Sequence, residues 1–178
     1  MKSPAKHNYK RLFTVLCLLD VVWTAVIFSW SLAPAELSTK ESSWVLLLIK
    51  RVLQSATMHL VRKAAHFTEF MVLGCLLCAT VGVYLALRKT RKTGKVQPNT
   101  DNTGPETDRA SGGSARILLQ PGISAGIGLI IAVCDELIQL TSPGRACQIS
   151  DMLLDFCGTV TGALILLLIF TILRQRKA

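Results

Sequence analysis

Charged residues are scarce in this chain of 178 amino acids. They make up 17% of the sequence, whereas a typical soluble domain contains about 25%. Hydrophobic residues make up 51%, and they are gathered into long blocks rather than the one-sided stripes of soluble helices. The composition therefore excludes an ordinary soluble domain and indicates a membrane protein.

Acidic residues are especially few, since 11 Asp and Glu stand against 20 Lys and Arg, giving a formal net charge of +9. Such a charge often marks a nucleic-acid-binding protein. Here, however, the basic residues flank apolar blocks, which is the pattern that sets membrane topology. We therefore expect membrane lipids as partners and no nucleic acid.

The sequence also lacks the short motifs of familiar enzyme classes. It contains no nucleophile elbow, no zinc motif and no P-loop. Of its six cysteines, Cys75 and Cys78 have the spacing of a metal or redox pair, but they lie in an apolar helix without a second pair. Packing is the better interpretation, and we expect no cofactor. Cys147 is expected to be exposed in a short loop.

Four apolar blocks approach or exceed the ~20 residues that a helix needs to cross a bilayer. We predict spans over residues 12–33, 64–87, 117–140 and 151–173. The fold class is thus all-α, a polytopic membrane protein with one domain over residues 1–178.

The first block follows a basic leader, but it is longer than the apolar part of a usual signal peptide, so we expect a retained anchor.

The segments between the spans differ in character. Residues 44–61 predict an interfacial amphipathic helix, which lies on the membrane or packs against the bundle. Residues 88–116 are rich in Gly, Pro, Asn and Thr and predict a flexible cytoplasmic loop. Small residues at Gly122-x-x-x-Gly126 and Gly158-x-x-x-Gly162 predict close contact between the third and fourth helices. Most basic residues lie inside if both termini are cytoplasmic, which favours that orientation.

Polar residues recur at helical spacing within three of the spans. A charged side chain at the centre of a membrane helix costs roughly 2.5–3.5 kcal/mol, so such groups usually face a shared interior. With the predicted orientation, the start of the second helix, the end of the third and the start of the fourth all lie near the outer membrane face. The candidate ligand-binding residues there are Arg62, Lys63, His66, Glu69, Asp135, Glu136, Gln139, Arg145, Asp151 and Asp155.

Three interpretations of this set remain open. As a binding module, it would contact an anionic envelope ligand or a glycopeptide through Arg62, Lys63 and Arg145. As an enzyme on a lipid-linked substrate, it would use His66 and Glu69 as a base and its orienting group, with a divalent cation on Asp151 and Asp155. Alternatively, the charges only hold the helices together.

Two further expectations concern the rest of the chain. Asp20 lies apart in the first span, and the sequence shows no partner for a proton relay, so we expect a structural role. Transport ranks last, because acids confined to one face make a poor pathway through a bundle. Homo-oligomerisation would change that ranking and is left open.

The ordered motifs resemble the VanZ-like family of bacterial membrane proteins. The matching stretches are Arg62-Lys63-Ala64-Ala65-His66-Phe67-Thr68-Glu69, Asp135-Glu136-Leu137-Ile138-Gln139, Pro143-Gly144-Arg145, and Asp151-x-x-x-Asp155-x-x-Gly158-x-x-x-Gly162. The resemblance covers most of residues 25–165, apart from the long loop, which departs from the family pattern as an insertion. It implies a multi-pass protein of the bacterial cytoplasmic membrane that lowers sensitivity to teicoplanin-type antibiotics. It supplies no reaction.

Overall fold

A computed structural model describes residues 4–32, 58–93, 107–142 and 147–176 of the chain. These residues form four α-helices: α1 (Pro4–Leu32), α2 (Met58–Thr93), α3 (Thr107–Gln139) and α4 (Ile149–Gln175). Each helix is long and apolar enough to cross a membrane. A helix satisfies its own backbone hydrogen bonds, which is why apolar segments cross lipid in this form. The prediction of an all-α, multi-pass membrane protein is confirmed.

The helices extend beyond the predicted spans. Helix α2 continues to Thr93 and α3 already begins at Thr107, so both enter the stretch predicted as a loop over residues 88–116. Once an apolar span has nucleated a helix, each added residue gains a hydrogen bond at little further cost. The centre of that loop lies outside the described residues. So does the predicted interfacial helix over residues 44–61, apart from its end, which belongs to α2.

The predicted contact between α3 and α4 is present, since a Cβ atom on Gly128 of α3 would collide with the Thr159 side chain of α4. The glycines of the Gly158-x-x-x-Gly162 motif, however, face α2. A Cβ atom on Gly158 would lie 2.6 Å from the carbonyl oxygen of Phe67, and one on Gly162 would collide with the backbone of Met71. In contrast, a Cβ on Gly122 or Gly126 would meet nothing within 4 Å. The glycines of α4 therefore form a groove that holds α2, since small residues let helix backbones approach in lipid.

Helix α1 packs on α2 and α3. Its Trp23 indole N–H donates a hydrogen bond of 3.0 Å to the backbone oxygen of Glu69, and its Ile27 is fully buried with Phe70 and Leu73 of α2. At the end of the helix, the Ser142 hydroxyl donates to the backbone oxygen of Ser31 at 3.0 Å. These contacts join the C-terminal ends of α1 and α3, and the N-terminal ends of α2 and α4 lie at the same end of the bundle.

Asp20 in α1 accepts a hydrogen bond from a neighbouring helix. The Thr80 hydroxyl of α2 donates a hydrogen bond of 2.6 Å to its Oδ2 atom. The pair lies away from the predicted site, toward the other end of the bundle. It ties α1 to α2, as expected of a structural role.

Candidate functional site

Seven polar residues from three helices meet at one end of the bundle, and we call them the polar cluster. Helix α2 supplies two of them, α3 supplies three, and α4 supplies two. They repeat three or four residues apart, and this spacing places them on one side of each helix. The members are Lys63, His66, Asp135, Glu136, Gln139, Asp151 and Asp155.

The rim of the polar cluster is an ion pair between α2 and α4. Lys63 Nζ lies 3.0 Å from Asp151 Oδ1, and the two side chains are 44% and 28% exposed. Asp151 is also in the first turn of α4, where a negative charge is favoured by the helix dipole. A partly exposed pair of this kind contributes at most about 1 kcal/mol to stability. The rim is therefore accessible and only weakly fixed.

Glu136 is buried and fixes the start of α4. The backbone N–H of Gln148 donates a hydrogen bond of 2.9 Å to Glu136 Oε2. Gln148 is the N-terminal cap residue of α4, and no side chain caps the helix there. Glu136 thus satisfies a backbone donor next to the helix start, and it orients α4 against α3.

Asp135, the residue before Glu136, points to a different neighbour, as expected for a step of about 100° around a helix. Gln139 Nε2, one turn further, donates a hydrogen bond of 2.9 Å to Asp135 Oδ2. Asp135 is completely buried, and its other oxygen accepts no hydrogen bond from any described residue. One carboxylate oxygen is therefore positioned by the protein, and the second is available to another group.

The centre of the polar cluster combines one histidine with two carboxylates. His66, Asp135 and Asp155 each offer a ligand atom, and these atoms all lie within 4.8 Å of one another. The separation of His66 Nδ1 and Asp155 Oδ1 is 3.9 Å, which is too long for a hydrogen bond. Asp155 is 0% exposed, and neither of its oxygens accepts a hydrogen bond in the part of the chain that the structure describes.

A comparison with protein-family models identifies the family of the chain. The model of the VanZ/LLP1 family matches residues 13–171, which include the whole of α2 and α3, most of α1 and α4, and every member of the polar cluster. The chain belongs to the VanZ/LLP1 family. No curated protein and no solved structure matched it.

Three residues predicted for the ligand-binding site, Arg62, Glu69 and Arg145, are not among the seven members of the polar cluster. Arg62 and Glu69 are half-buried on α2, and the Glu69 backbone oxygen receives the Trp23 hydrogen bond. Arg145 lies outside the described residues. The predicted metal pair is also arranged differently, because Asp155 approaches His66 and Asp135, whereas Asp151 is held by Lys63.

Two contacts of this VanZ/LLP1 site could not be found from the sequence. The Trp23 indole lies in an apolar stretch and bonds to a residue 46 positions away, and the Gln148 contact uses a backbone amide, which no side-chain pattern identifies. The Cys75 and Cys78 thiols, in contrast, are packing groups as predicted. They donate to the backbone oxygens of Gly162 and Ala163 at 3.2 and 3.5 Å.

Cys147 lies beside the polar cluster in the connection between α3 and α4. It is half-buried rather than fully exposed as predicted. Loss of hydration, together with the nearby negative charge of Glu136, raises the pKa of its thiol. A higher pKa means a smaller thiolate fraction near neutral pH, so Cys147 is a slow nucleophile.

Proposed function

We propose that this VanZ-type membrane protein binds an anionic envelope ligand or a glycopeptide at the polar cluster, and thereby lowers sensitivity to teicoplanin-type antibiotics. The protein would lie in the bacterial cytoplasmic membrane with both termini in the cytoplasm, so that the polar cluster faces the outer leaflet. The observation that carries the proposal is the state of Asp155. It is buried among three helices, yet no described residue donates a hydrogen bond to its carboxylate.

A purely structural network would leave no such carboxylate. Removing a hydrogen-bonding group from water without a partner costs roughly 1–3 kcal/mol, and more when the group is charged. Evolution of a bundle for stability alone would replace Asp155 or supply a donor. A binding site retains groups of this kind because the ligand completes them.

The arrangement suggests where each part of a ligand would lie. Lys63 is the accessible cation at the rim, with Arg62 half-buried one residue before it. These side chains suit a phosphate or carboxylate of the ligand. The buried carboxylates of Asp135 and Asp155 suit a positively charged group deeper in the bundle. An amino group of a glycopeptide is one group of that charge.

The test has two readouts in one set of strains. Wild type, Lys63→Ala, Asp155→Asn and the control Asp20→Asn are expressed at matched membrane levels in a susceptible bacterium, and the minimal inhibitory concentration of teicoplanin is measured. We expect protection by wild type and the control, with at least a fourfold loss of protection in the two cluster variants. Equal protection by Asp155→Asn and wild type would contradict the proposal.

The second readout identifies the ligand. Lipids that co-purify with each detergent-solubilised protein are compared by mass spectrometry, and binding of purified teicoplanin is measured by calorimetry. A species retained by wild type and Asp20→Asn, but lost from Lys63→Ala, would be the ligand. The Asp20 control removes a carboxylate from the same bundle without touching the polar cluster.

An enzyme acting on a lipid-linked substrate is the second candidate. His66 would serve as the base, and the carboxylate that faces its ring is Asp155, 3.9 Å away. A general base needs such an orienting partner and must reach the proton that it removes. Turnover of the co-purified lipid by wild type, abolished in His66→Ala, would favour catalysis over binding.

A further inference from the structure

The three central residues of the polar cluster have side chains of the kinds that commonly ligate metal ions. His66 from α2, Asp135 from α3 and Asp155 from α4 bring one imidazole nitrogen and two carboxylate oxygens within 4.8 Å of one another. No two of the three come from the same helix. Their convergence is thus a property of the tertiary fold and not of local helix spacing.

A second observation points to a ligand at this position. Both oxygens of Asp155 and the Oδ1 atom of Asp135 are buried and accept no hydrogen bond from the described residues. Both side chains are 0% exposed. Two buried carboxylates this close repel each other, and a positive charge between them would stabilise both. Lys63, the lysine of the polar cluster, is paired with Asp151 at the rim.

We propose that His66, Asp135 and Asp155 bind one divalent transition-metal ion, Zn²⁺ or Mn²⁺. Imidazole nitrogen is a good ligand for these ions, whereas Mg²⁺ and Ca²⁺ prefer sites made of oxygen alone. Three protein ligands leave further coordination positions open, which is the arrangement of sites that also hold water or a ligand. The cation would offset the two buried negative charges.

The geometry requires only small side-chain movements. In a tetrahedral site, ligand atoms about 2.0–2.2 Å from a common ion lie about 3.3–3.6 Å apart. The three ligand atoms lie within 4.8 Å, and His66 and Asp155 are already at 3.9 Å. Side-chain rotations that move ligand atoms by about 1 Å would complete the site.

Gln139 would act as a positioning residue for this site. Its amide donates to Asp135 Oδ2 and so leaves Asp135 Oδ1 directed to the ion. Metal-ligating carboxylates are commonly oriented by such hydrogen bonds, and their loss typically weakens metal binding 10–100-fold. Gln139→Leu should therefore weaken binding less than the loss of a ligand.

The proposed metal site is independent of the proposed envelope ligand, so experiments can contradict one proposal and leave the other standing. An ion in this position would place positive charge below Lys63, where the phosphate or carboxylate of an anionic ligand could meet it. The ion would still bind if teicoplanin and envelope lipids did not. Conversely, ligand binding without any metal would leave the proposed function intact.

The test is calorimetry on purified, detergent-solubilised full-length protein that has been treated with chelator and dialysed. ZnCl₂, MnCl₂, MgCl₂ and CaCl₂ are titrated separately. We expect saturable binding of one Zn²⁺ or Mn²⁺ per chain, with at least tenfold weaker binding of Mg²⁺ and Ca²⁺. His66→Gln and Asp155→Asn should weaken the transition-metal binding at least tenfold, whereas Asp20→Asn should retain it. Binding to neither ion, or undiminished binding in Asp155→Asn, would overturn the proposal.

X-ray absorption on the wild-type protein keeps the proposal falsifiable if the variants do not fold. We expect one imidazole and otherwise oxygen ligands around bound Zn²⁺. Sulfur ligands would instead assign the ion to cysteines and overturn the proposal. His7→Ala and His59→Ala, which change the two other histidines of the sequence, should leave the imidazole signal unchanged.

Discussion

At the scale of single residues, the carboxylates of the polar cluster differ in the ion pairs and hydrogen bonds that they receive from the rest of the protein. Asp151 is paired with Lys63 and partly exposed, and Glu136 accepts the Gln148 amide. Asp155 receives no hydrogen bond from the described residues although it is fully buried. The sequence could predict that these residues meet, because helical spacing and topology determine depth. It could not predict which carboxylate lacks a donor, because that depends on side-chain geometry across three helices.

This difference gives a stability prediction. In metal-free, detergent-solubilised protein, Asp155→Asn should raise the free energy of unfolding by about 1–3 kcal/mol, because an amide in place of the carboxyl group relieves the repulsion between the buried Asp135 and Asp155 side chains. Asp151→Asn should change it by less than about 1 kcal/mol, because that pair is partly exposed. The measurement is reversible unfolding in mixed micelles with chelator present. A destabilised Asp155→Asn would instead indicate a structural network.

At the scale of helices, the sequence predicted which segments span and which motifs contain small residues, but not which helix occupies each groove. Apolar block length is enough to predict a span. Glycine spacing alone does not identify the neighbouring helix: α3 and α4 are in contact as predicted, but through Gly128 and Thr159 rather than through the two glycine motifs. The groove of α4 holds α2 at Gly158 and Gly162, whereas Gly122 and Gly126 of α3 face open space. That choice follows from the packing of the whole bundle.

Two matched glycine substitutions test this packing. Gly162→Ala should destabilise the bundle by more than about 2 kcal/mol, because its Cβ would collide with the Met71 backbone and the helices would have to separate. Gly126→Ala should be neutral or stabilising by up to about 1 kcal/mol, because it meets nothing within 4 Å and alanine favours helix. Thermal unfolding in detergent provides the comparison. Equal effects at both positions would contradict the assignment of the groove.

At the scale of the whole molecule, the fold assembles the polar cluster at one end of a bundle whose sides are apolar. Large hydrophobic side chains are exposed on all four helices, among them Leu18, Tyr84, Ile130 and Leu168. Such surfaces are stable only against lipid, so the membrane covers the sides of the bundle and leaves its ends to water. A ligand of the polar cluster would therefore exchange with only one side of the membrane, and the orientation determines which side.

Orientation is predicted from the basic residues and can be measured in intact cells. With both termini cytoplasmic, Cys147 beside the polar cluster should react with a membrane-impermeant maleimide added outside, in a variant whose other five cysteines are replaced by serine or alanine. The raised pKa of this thiol makes the thiolate fraction small at pH 7, so labelling should accelerate as the pH rises to 8.5. A green fluorescent protein fused to the C-terminus should fluoresce, because that protein folds in the cytoplasm. Labelling of Cys147 only after the cells are permeabilised would place the polar cluster inside, and a ligand of the outer leaflet could then no longer be its target.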